Sequence, residues 1–264
     1  MKNDHDDIKN KVREIYGVKA RSASLFPIIQ DYNAFCTDEF CEIDSDAGTE
    51  AYPNLYLSKE LDGLPVEAIA ASAGCGNPTA LADLKPGEKV LDLGSGGGID
   101  CFLAARQVGD YGHVIGLDMT SDMISLARKN AENLGAHNVE FIHSEMEKIP
   151  LPSESVNVVI SNCVICLSPD KEAVITEAFR VLVPGGRIHI SDMMALGPSV
   201  DGAEPDLYEW ACCIAGAEEQ DVYTDRLARA GFIGVSVTRD GEAKTQKGGR
   251  PSVASVKVVA SKPV

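Results

Sequence analysis

Eight cysteines give this chain of 264 residues its most evident chemistry, because a thiolate is both a soft ligand and a nucleophile. Three of them stand beside turns or predicted strand ends: Cys75 in Gly-Cys-Gly-Asn-Pro, Cys163 directly after a buried strand, and Cys213 in Trp-Ala-Cys-Cys-Ile-Ala-Gly. If those segments meet at one edge of a sheet, their thiols form a site for a soft ion or metalloid. Taken singly, each cysteine also fits the role of a small buried hydrophobic side chain.

A glycine-rich turn is the second candidate site. The stretch VLDLGSGGG, residues 90–98, is typical of a strand that enters a tight turn whose exposed amides contact a ligand. The dinucleotide pattern needs a third glycine or alanine where this chain has Ile99, and the Gly-Lys-Ser/Thr of a phosphate-binding loop is missing. Asp92 places a carboxylate beside the turn, which repels a pyrophosphate but suits a ligand that bears an ammonium and a sulfonium.

An acidic residue ends the next predicted strand. Asp118 follows the first glycine of the turn, Gly94, by 118 − 94 = 24 residues. That interval is close to the roughly 20 residues expected for an acid that binds ribose hydroxyls. A helix N-cap or a solvated strand end is the alternative for Asp118.

The charge balance limits the partners of the chain. Lys and Arg number 24 against 40 Asp and Glu, a formal net charge of −16, which argues against nucleic acid and against an anionic membrane surface. No apolar run approaches the roughly 18 residues of a membrane span, and the first residues do not resemble a signal peptide. We therefore expect a soluble cytoplasmic protein, in which cysteines are rarely paired for stability.

Alternating elements from residue 89 onward predict the scaffold for these residues. Short apolar strands are expected at 90–93, 114–117, 139–142, 156–160 and 187–191, and helices at 101–108, 121–133 and 170–182. Apolar strands that alternate with helices predict an α/β fold with a doubly wound, mostly parallel sheet.

The flanking segments differ in character. Before the sheet we predict helices at 4–16 and 64–72, with a long loop or lid over 30–58; after it, helices at 204–217 and 222–230. Strands at 232–238 and 252–260 are expected to pair antiparallel at the sheet edge. The predicted organisation is therefore an N-terminal lid segment (1–79), a ligand-binding domain (80–195) and a C-terminal extension (196–264).

The central segment resembles the class I S-adenosylmethionine-dependent methyltransferases in VLDLGSGGG, the Asp118 strand end and Pro184-Gly185-Gly186. The resemblance implies S-adenosyl-L-methionine as cofactor and a Rossmann-like fold. It places Gly94, Ser95 and Gly96 at the methionine portion and Asp118 at the ribose. The remaining implied contacts flank the adenine or lie near the cofactor: Met119, Glu145, Met146 and Asn162.

Longer motifs resemble one family within that class, the arsenite methyltransferases. SNCVICLSPDKE is similar to the family form SNCVINLSPDK, and GCGNPTALADLKPGEKVLDLGSGGGIDCFLAA and VIGLDMTSDMI match closely. The resemblance implies that Cys75, Cys163 and Cys213 hold trivalent arsenic, taken from glutathione or similar thiol conjugates, and that a thiol reductant of glutathione or thioredoxin type takes part. Three-coordinate arsenic keeps a lone pair that can attack the sulfonium methyl, so no protein base is required.

The chain departs from this family at several cysteines. Cys166 stands where the family usually has Asn, and one Cys-x-x-Cys pair is weak evidence for zinc. If that segment is extended, Cys163 and Cys166 point to opposite faces and need not share a ligand. Either Cys36 or Cys41 is a candidate for the family's N-terminal redox cysteine, while Cys101 and Cys212 have no assigned role.

Two other functions fit parts of the sequence. A methyltransferase acting on carbon or oxygen of a small molecule would need the same cofactor site and would use its cysteines only for packing. A non-enzymatic sensor of a metalloid or zinc would use the thiols without the methyl donor.

Overall fold

The computed structural model describes residues 5–25, 56–197, 206–240, 243 and 251–264. Within them the chain builds one mixed β-sheet with helices on both faces. The strands are β1 Lys89–Leu93, β2 His113–Asp118, β3 Val139–His143, β4 Val156–Asn162, β5 Leu182–Ala195, β6 Glu218–Glu219, β7 Ile233–Arg239 and β8 Val253–Ser261. The helices are α1 His5–Ser24, α2 Ser58–Leu61, α3 Val66–Ala71, α4 Pro78–Leu81, α5 Ile99–Val108, α6 Ser121–Leu134, α7 Lys171–Val181, α8 Leu207–Ala211 and α9 Gln220–Ala230.

The strand order is β3-β2-β1-β4-β5-β8-β7, with β6 paired to the end of β5. The pairs among β1 to β5 are parallel, whereas β8 is antiparallel to both β5 and β7. The order reverses between β1 and β4, and in such sheets ligands bind in the crevice beyond the carboxyl ends of the strands at this point. The predicted doubly wound, mostly parallel fold is confirmed, and so is the antiparallel pair after residue 231.

Side chains point alternately to the two faces of the sheet and so contribute to two hydrophobic cores, one on each face. Leu91 and Leu93 of β1 pack with residues of α7 and α9, while Val90 packs on the other face with residues of α5 and α6. Because successive side chains of a strand point to opposite faces, both faces of the central strands are apolar. The carboxyl ends of β1, β2 and β4 are thereby held in a fixed arrangement.

The first four predicted strands match β1 to β4 within two residues, but three other elements differ from the prediction. Helix α1 continues past Tyr16 to Ser24, because Ala20 and Ala23 pack against Met123 and Leu126 of α6. Strand β5 begins before the Pro-Gly-Gly turn rather than after it.

The predicted helix at 204–217 is also wrong in extent. Helix α8 ends at Ala211, and Cys213 adopts a left-handed backbone conformation with φ of 62°. Few residues other than glycine adopt such a conformation, and it turns the chain out of the helix.

Most of the predicted N-terminal loop, together with Cys36 and Cys41, lies outside the described residues. Among the residues that are described, no helix is both long and apolar enough to cross a membrane.

Candidate active site

A cleft lies beyond the carboxyl ends of β1, β2 and β4 and has a volume of about 800 Å³, part of it open to solvent. Residues from the glycine turn, the β2 end and the β4 end line it, together with Val12 and Tyr16 of α1. The predicted ligand-binding residues that line the cleft are Gly94, Ser95, Gly96, Asp118, Met119, Met146, Asn162 and Cys163. The predicted residues that do not line it are Asp92, Glu145, Cys75 and Cys213.

The glycine turn and Asp118 are joined by backbone hydrogen bonds. Gly94 and Gly96 have φ of 71° and 51°, and the N–H of Gly96 donates to Oδ2 of Asp118 across 3.0 Å. The N–H of Thr120 donates to Oδ1 across 2.8 Å, and burial raises the pKa of Asp118. Each carboxylate oxygen has a second lone pair, so Asp118 can still accept hydrogen bonds from ribose hydroxyls.

Ser95 provides an independent sign that this cleft takes a polar ligand. Its side chain is 5% exposed and lines the cleft, and its Oγ has no hydrogen-bond partner within the described residues. A buried hydroxyl without a partner is destabilising, so a polar ligand group that bonds to it is favoured. The turn and Ser95 therefore fit the methionine portion of S-adenosylmethionine.

Asp92 lies behind the turn rather than in the cleft. It is 2% exposed and accepts a hydrogen bond from Sγ of Cys101 across 3.3 Å. Burial, followed by the nearby charge of Asp100, raises its pKa well above the ordinary value. The carboxyl group that lines the cleft on this side is that of Asp100, in the first turn of α5. Sequence reasoning missed Asp100, although an acid directly after a glycine turn is a usable signal.

Asn162 joins four segments at the end of β4. Its Nδ2 donates to Oη of Tyr56 and to Oδ2 of Asp100, each across 3.1 Å, and to the carbonyl oxygen of Gly76 across 2.8 Å. Its Oδ1 accepts from the N–H groups of Cys75 and Gly76, across 3.0 and 3.2 Å. Asn162 thus ties the loop that carries Cys75 to the cleft.

Helix α1 covers one side of the cleft and is held there by ion pairs. Glu145, which was predicted to flank an adenine, instead pairs with Lys9 across 2.7 Å and with Arg13. The hydrogen bond from Lys9 lowers the pKa of Glu145. Tyr16 on the same helix lines the cleft, a contribution that the sequence analysis did not foresee.

Three thiols meet beside the cleft, and we call Cys163, Cys166 and Cys213 the thiol cluster. Their Sγ atoms lie within 4.8 Å of one another, and the residues are 6%, 1% and 6% exposed. When protonated, Sγ of Cys213 donates to the carbonyl oxygen of Cys163 across 3.3 Å. Hydrogen bonds from the thiols of Cys163 and Cys166 lower the pKa of Cys213. Hydrogen bonds with the thiols of Cys166, Cys213 and Cys75 raise the pKa of Cys163.

The third predicted ligand, Cys75, is adjacent to this cluster but not part of it. It is half-buried and packs against the cluster, and its thiol is near enough to Cys163 to raise the pKa of that residue. Cys166, which had no predicted role, takes the third position within the cluster. None of the cysteines that the structure describes forms a disulfide.

Comparison with known proteins shows which family the chain resembles. A family model described as a methyltransferase domain matches residues 84–231. The arsenite methyltransferase of Halobacterium salinarum is 43% identical over 247 residues, which cover 91% of this chain and 61% of that protein. The mouse arsenite methyltransferase is 35% identical over 171 residues, covering 61% of this chain and 45% of the mouse protein.

The solved structures agree. CrArsM, an arsenic(III) S-adenosylmethionine methyltransferase from Chlamydomonas reinhardtii, superposes with a TM-score of 0.68 at 33% identity, over 78% of this chain and 73% of that chain. A phosphoethanolamine N-methyltransferase from Haemonchus contortus, at 17% identity and a TM-score of 0.60, shares the fold alone. This chain spans about half of the length of the curated relatives that it matches, from 45% to 61% in the two described above.

Proposed function

The chain belongs to the methyltransferase-domain family and, within it, to the arsenite methyltransferases, and on that premise we propose that it methylates trivalent arsenic with S-adenosylmethionine. The observation that carries this proposal is the position of Cys163. Its side chain belongs to the thiol cluster, and it also lines the cleft that fits the methyl donor. A soft ion bound to this thiol would therefore lie next to the cofactor site.

The cofactor would be held by residues of the glycine turn and the two following strand ends. Ser95 and Gly96 suit the methionine portion and Asp118 the ribose, while Met119 and Met146 offer apolar surfaces for the adenine. The chemistry that S-adenosylmethionine supplies when bound is an electrophilic methyl group on a sulfonium. The carboxyl group of Asp100 lies in the same wall and suits the cationic part of such a ligand.

The substrate would be bound by thiolates, with Cys163 and Cys213 as two ligands and Cys75 as the predicted third. Each thiol that joins arsenous acid releases its proton with an arsenic-bound hydroxide as water, so binding requires no oxidation. Arsenic with three sulfur ligands keeps its lone pair, and the protein then needs to orient a nucleophile rather than generate one. Orientation alone can lower a barrier by about 7–11 kcal/mol.

Two further features belong to the proposal. Helix α1 would exclude water from the cleft, because Val12 and Tyr16 form part of its wall. Arsenic that has gained a methyl group is pentavalent, so its return to the trivalent state takes two electrons. We propose that protein thiols give them by forming a disulfide and that a glutathione- or thioredoxin-type thiol reduces it, which suits the reducing cytoplasm.

The test is direct. Protein incubated with arsenite, S-adenosylmethionine and a thiol should form methylated arsenic, detected by chromatography coupled to mass spectrometry. Cys163→Ser and Cys213→Ser should abolish the product, whereas Cys212→Ser, which changes a thiol outside the cluster, should not. Undiminished methylation by the first two variants would overturn the proposed site. Methylation of a small organic molecule, with no binding of arsenite, would overturn the proposed substrate.

A further inference from the structure

The turn that follows β4 brings Cys166 to the same side as Cys163. The sequence analysis considered an extended segment, in which the two side chains would diverge. Residues Ile165–Leu167 instead form a single 3-10 turn, so the segment that carries Cys166 is not extended. Cys163 itself has a φ of 59°, a left-handed conformation that turns the chain before the 3-10 turn begins.

Hydrogen bonds of the backbone contribute to holding Cys166 in place. Its N–H donates to Oδ2 of Asp192 across 3.0 Å, and the indole N–H of Trp210 donates to the carbonyl oxygen of Leu167 across 2.9 Å. Gly216 makes the approach of the Cys213 segment possible, because a Cβ at that position would overlap the carbonyl oxygen of Cys166. The position of the third thiol is therefore set before any ion binds.

The separation of the sulfurs suits a common ligand. A sulfur ligand lies about 2.3 Å from a soft ion such as zinc, so two sulfurs on one ion are at most about 4.6 Å apart. The Sγ atoms of the thiol cluster already lie within 4.8 Å of one another. Small side-chain rotations would bring all three onto one arsenic.

Cys75 is placed differently. Its loop is fixed through Asn162 and through its carbonyl oxygen, which accepts a hydrogen bond from Oγ of Ser255 across 2.9 Å. Cys75 is half-buried, whereas Cys166 and Cys213 are buried. Of the four thiols only Cys163 lines the cleft, although Gly74 and Leu167, the neighbours of Cys75 and Cys166, line it as well.

We propose, on the basis of the function proposed above, that Cys166 is a fourth arsenic ligand and that the chain has two overlapping three-thiol sites. The inner site is Cys163, Cys166 and Cys213, and the outer site replaces Cys166 with Cys75. The inner site captures arsenite in a buried position. The outer site, which includes the less buried Cys75, holds arsenic for methylation. Exchange of one thiolate for another moves arsenic between them, with a proton passing from the incoming to the outgoing sulfur and no change in oxidation state.

The two sites predict opposite effects on binding and on rate. Cys75→Ser keeps the inner site, so arsenite affinity should change little while the methylation rate falls by at least about tenfold. Cys166→Asn, which restores the residue usual in the resembling family, keeps the outer site and should still methylate. The double variant, which combines Cys75→Ser with Cys166→Asn, keeps only two of the four thiols. Its affinity for arsenite should be at least about tenfold lower than that of either single variant, which is a non-additive loss.

Fluorescence of Trp210 reports binding, since it is the only tryptophan in the sequence and contacts the residue after Cys166. Arsenite would be titrated into the full chain under a phosphine reductant, and X-ray absorption would count the sulfur neighbours of bound arsenic. Three sulfurs are expected in both single variants. Phenylarsine oxide, whose arsenic needs only two thiolates, serves as the folding control and should still bind the double variant. Cys212→Ser is the matched thiol control.

The outcomes separate this inference from the proposed function. If Cys75→Ser alone abolishes arsenite binding, or if the double variant binds as tightly as the original chain, the inner site is refuted while arsenic methylation stands. If the original chain binds S-adenosylmethionine but neither binds nor methylates arsenite, the proposed function itself is refuted.

Discussion

The backbone N–H of Cys75 donates a hydrogen bond to Oδ1 of Asn162 across 3.0 Å, and Asn162 directly precedes Cys163. Two predicted arsenic ligands that are distant in sequence are therefore linked through one amide side chain. The same side chain contacts Asp100 and Tyr56 beside the cleft. The relative position of Cys75 and Cys163 thus depends on a group that is itself not a proposed arsenic ligand.

Removing this amide should separate the two thiols. Asn162→Ala leaves the N–H groups of Cys75 and Gly76 without their acceptor, and each buried unpaired group costs about 1–3 kcal/mol. We expect a lower melting temperature together with a fall in the methylation kcat. Asn157→Ala, at the other end of the same strand, removes one exposed hydrogen bond and is the control. Equal effects of the two substitutions on kcat would contradict the positioning role.

The ionisation of Cys213 should govern how fast arsenite is captured as pH falls. Donation by Cys163 and Cys166 lowers the pKa of Cys213, so its thiolate persists below the ordinary thiol value of about 8.5. The capture rate, followed by the Trp210 signal in stopped flow, should stay constant as pH falls through that value and decline only at lower pH. Cys166→Ala removes one donor and should move the decline to higher pH. Cys212→Ala is the control and should leave the pH dependence of the capture rate unchanged. The same unchanged pH dependence in Cys166→Ala would contradict the claim that Cys166 lowers the pKa of Cys213.

The ion pairs of α1 should slow the exchange of ligands in the cleft. Glu145→Gln weakens the contacts with Lys9 and Arg13, which are partly exposed, so each pair contributes only about 0.2–1 kcal/mol. The dissociation rate of S-adenosylmethionine should rise by up to about fivefold, and added salt should raise it in the original chain but much less in the variant. Glu140→Gln disrupts a pair with His113 and is the control. A dissociation rate that is insensitive to both salt and Glu145→Gln would contradict the role of these two ion pairs in holding α1 over the cleft.

A methyl group at Gly216 should disturb the thiol cluster without removing a thiol. The Cβ of Gly216→Ala would overlap the carbonyl oxygen of Cys166, so the segment that carries Cys213 must move away. Overpacking of this kind costs about 1–3 kcal/mol, and arsenite affinity should fall with stability. Gly197→Ala, where the nearest atom is 3.9 Å from the added group, should change neither. Arsenite affinity that remains unchanged in Gly216→Ala would argue that the cluster tolerates displacement of this segment.

The sequence predicted β1 to β4, β7 and β8 to within two residues because these strands are apolar runs bounded by turn residues. It did not predict the early start of β5 or the short strand β6. It also predicted that Asn162 and Cys163 lie at the ligand edge, since Asn162 ends β4 and Cys163 follows it. The end of α8 was not predictable, because a left-handed conformation at Cys213 has no composition signal. The direction of Cys166 depends on contacts with Asp192 and Gly216, which are distant in sequence.

Because Cys163 forms part of both the cleft wall and the thiol cluster, the two proposed ligands, the methyl donor and arsenic, would share one side chain. Thermodynamic linkage then requires reciprocity. The factor by which bound methyl donor changes the affinity for arsenic must equal the factor by which bound arsenic changes the affinity for the donor. Calorimetric titration of each ligand with and without the other should give the same coupling free energy. A coupling free energy other than zero would mean that each substrate changes the affinity for the other without a separate regulatory site.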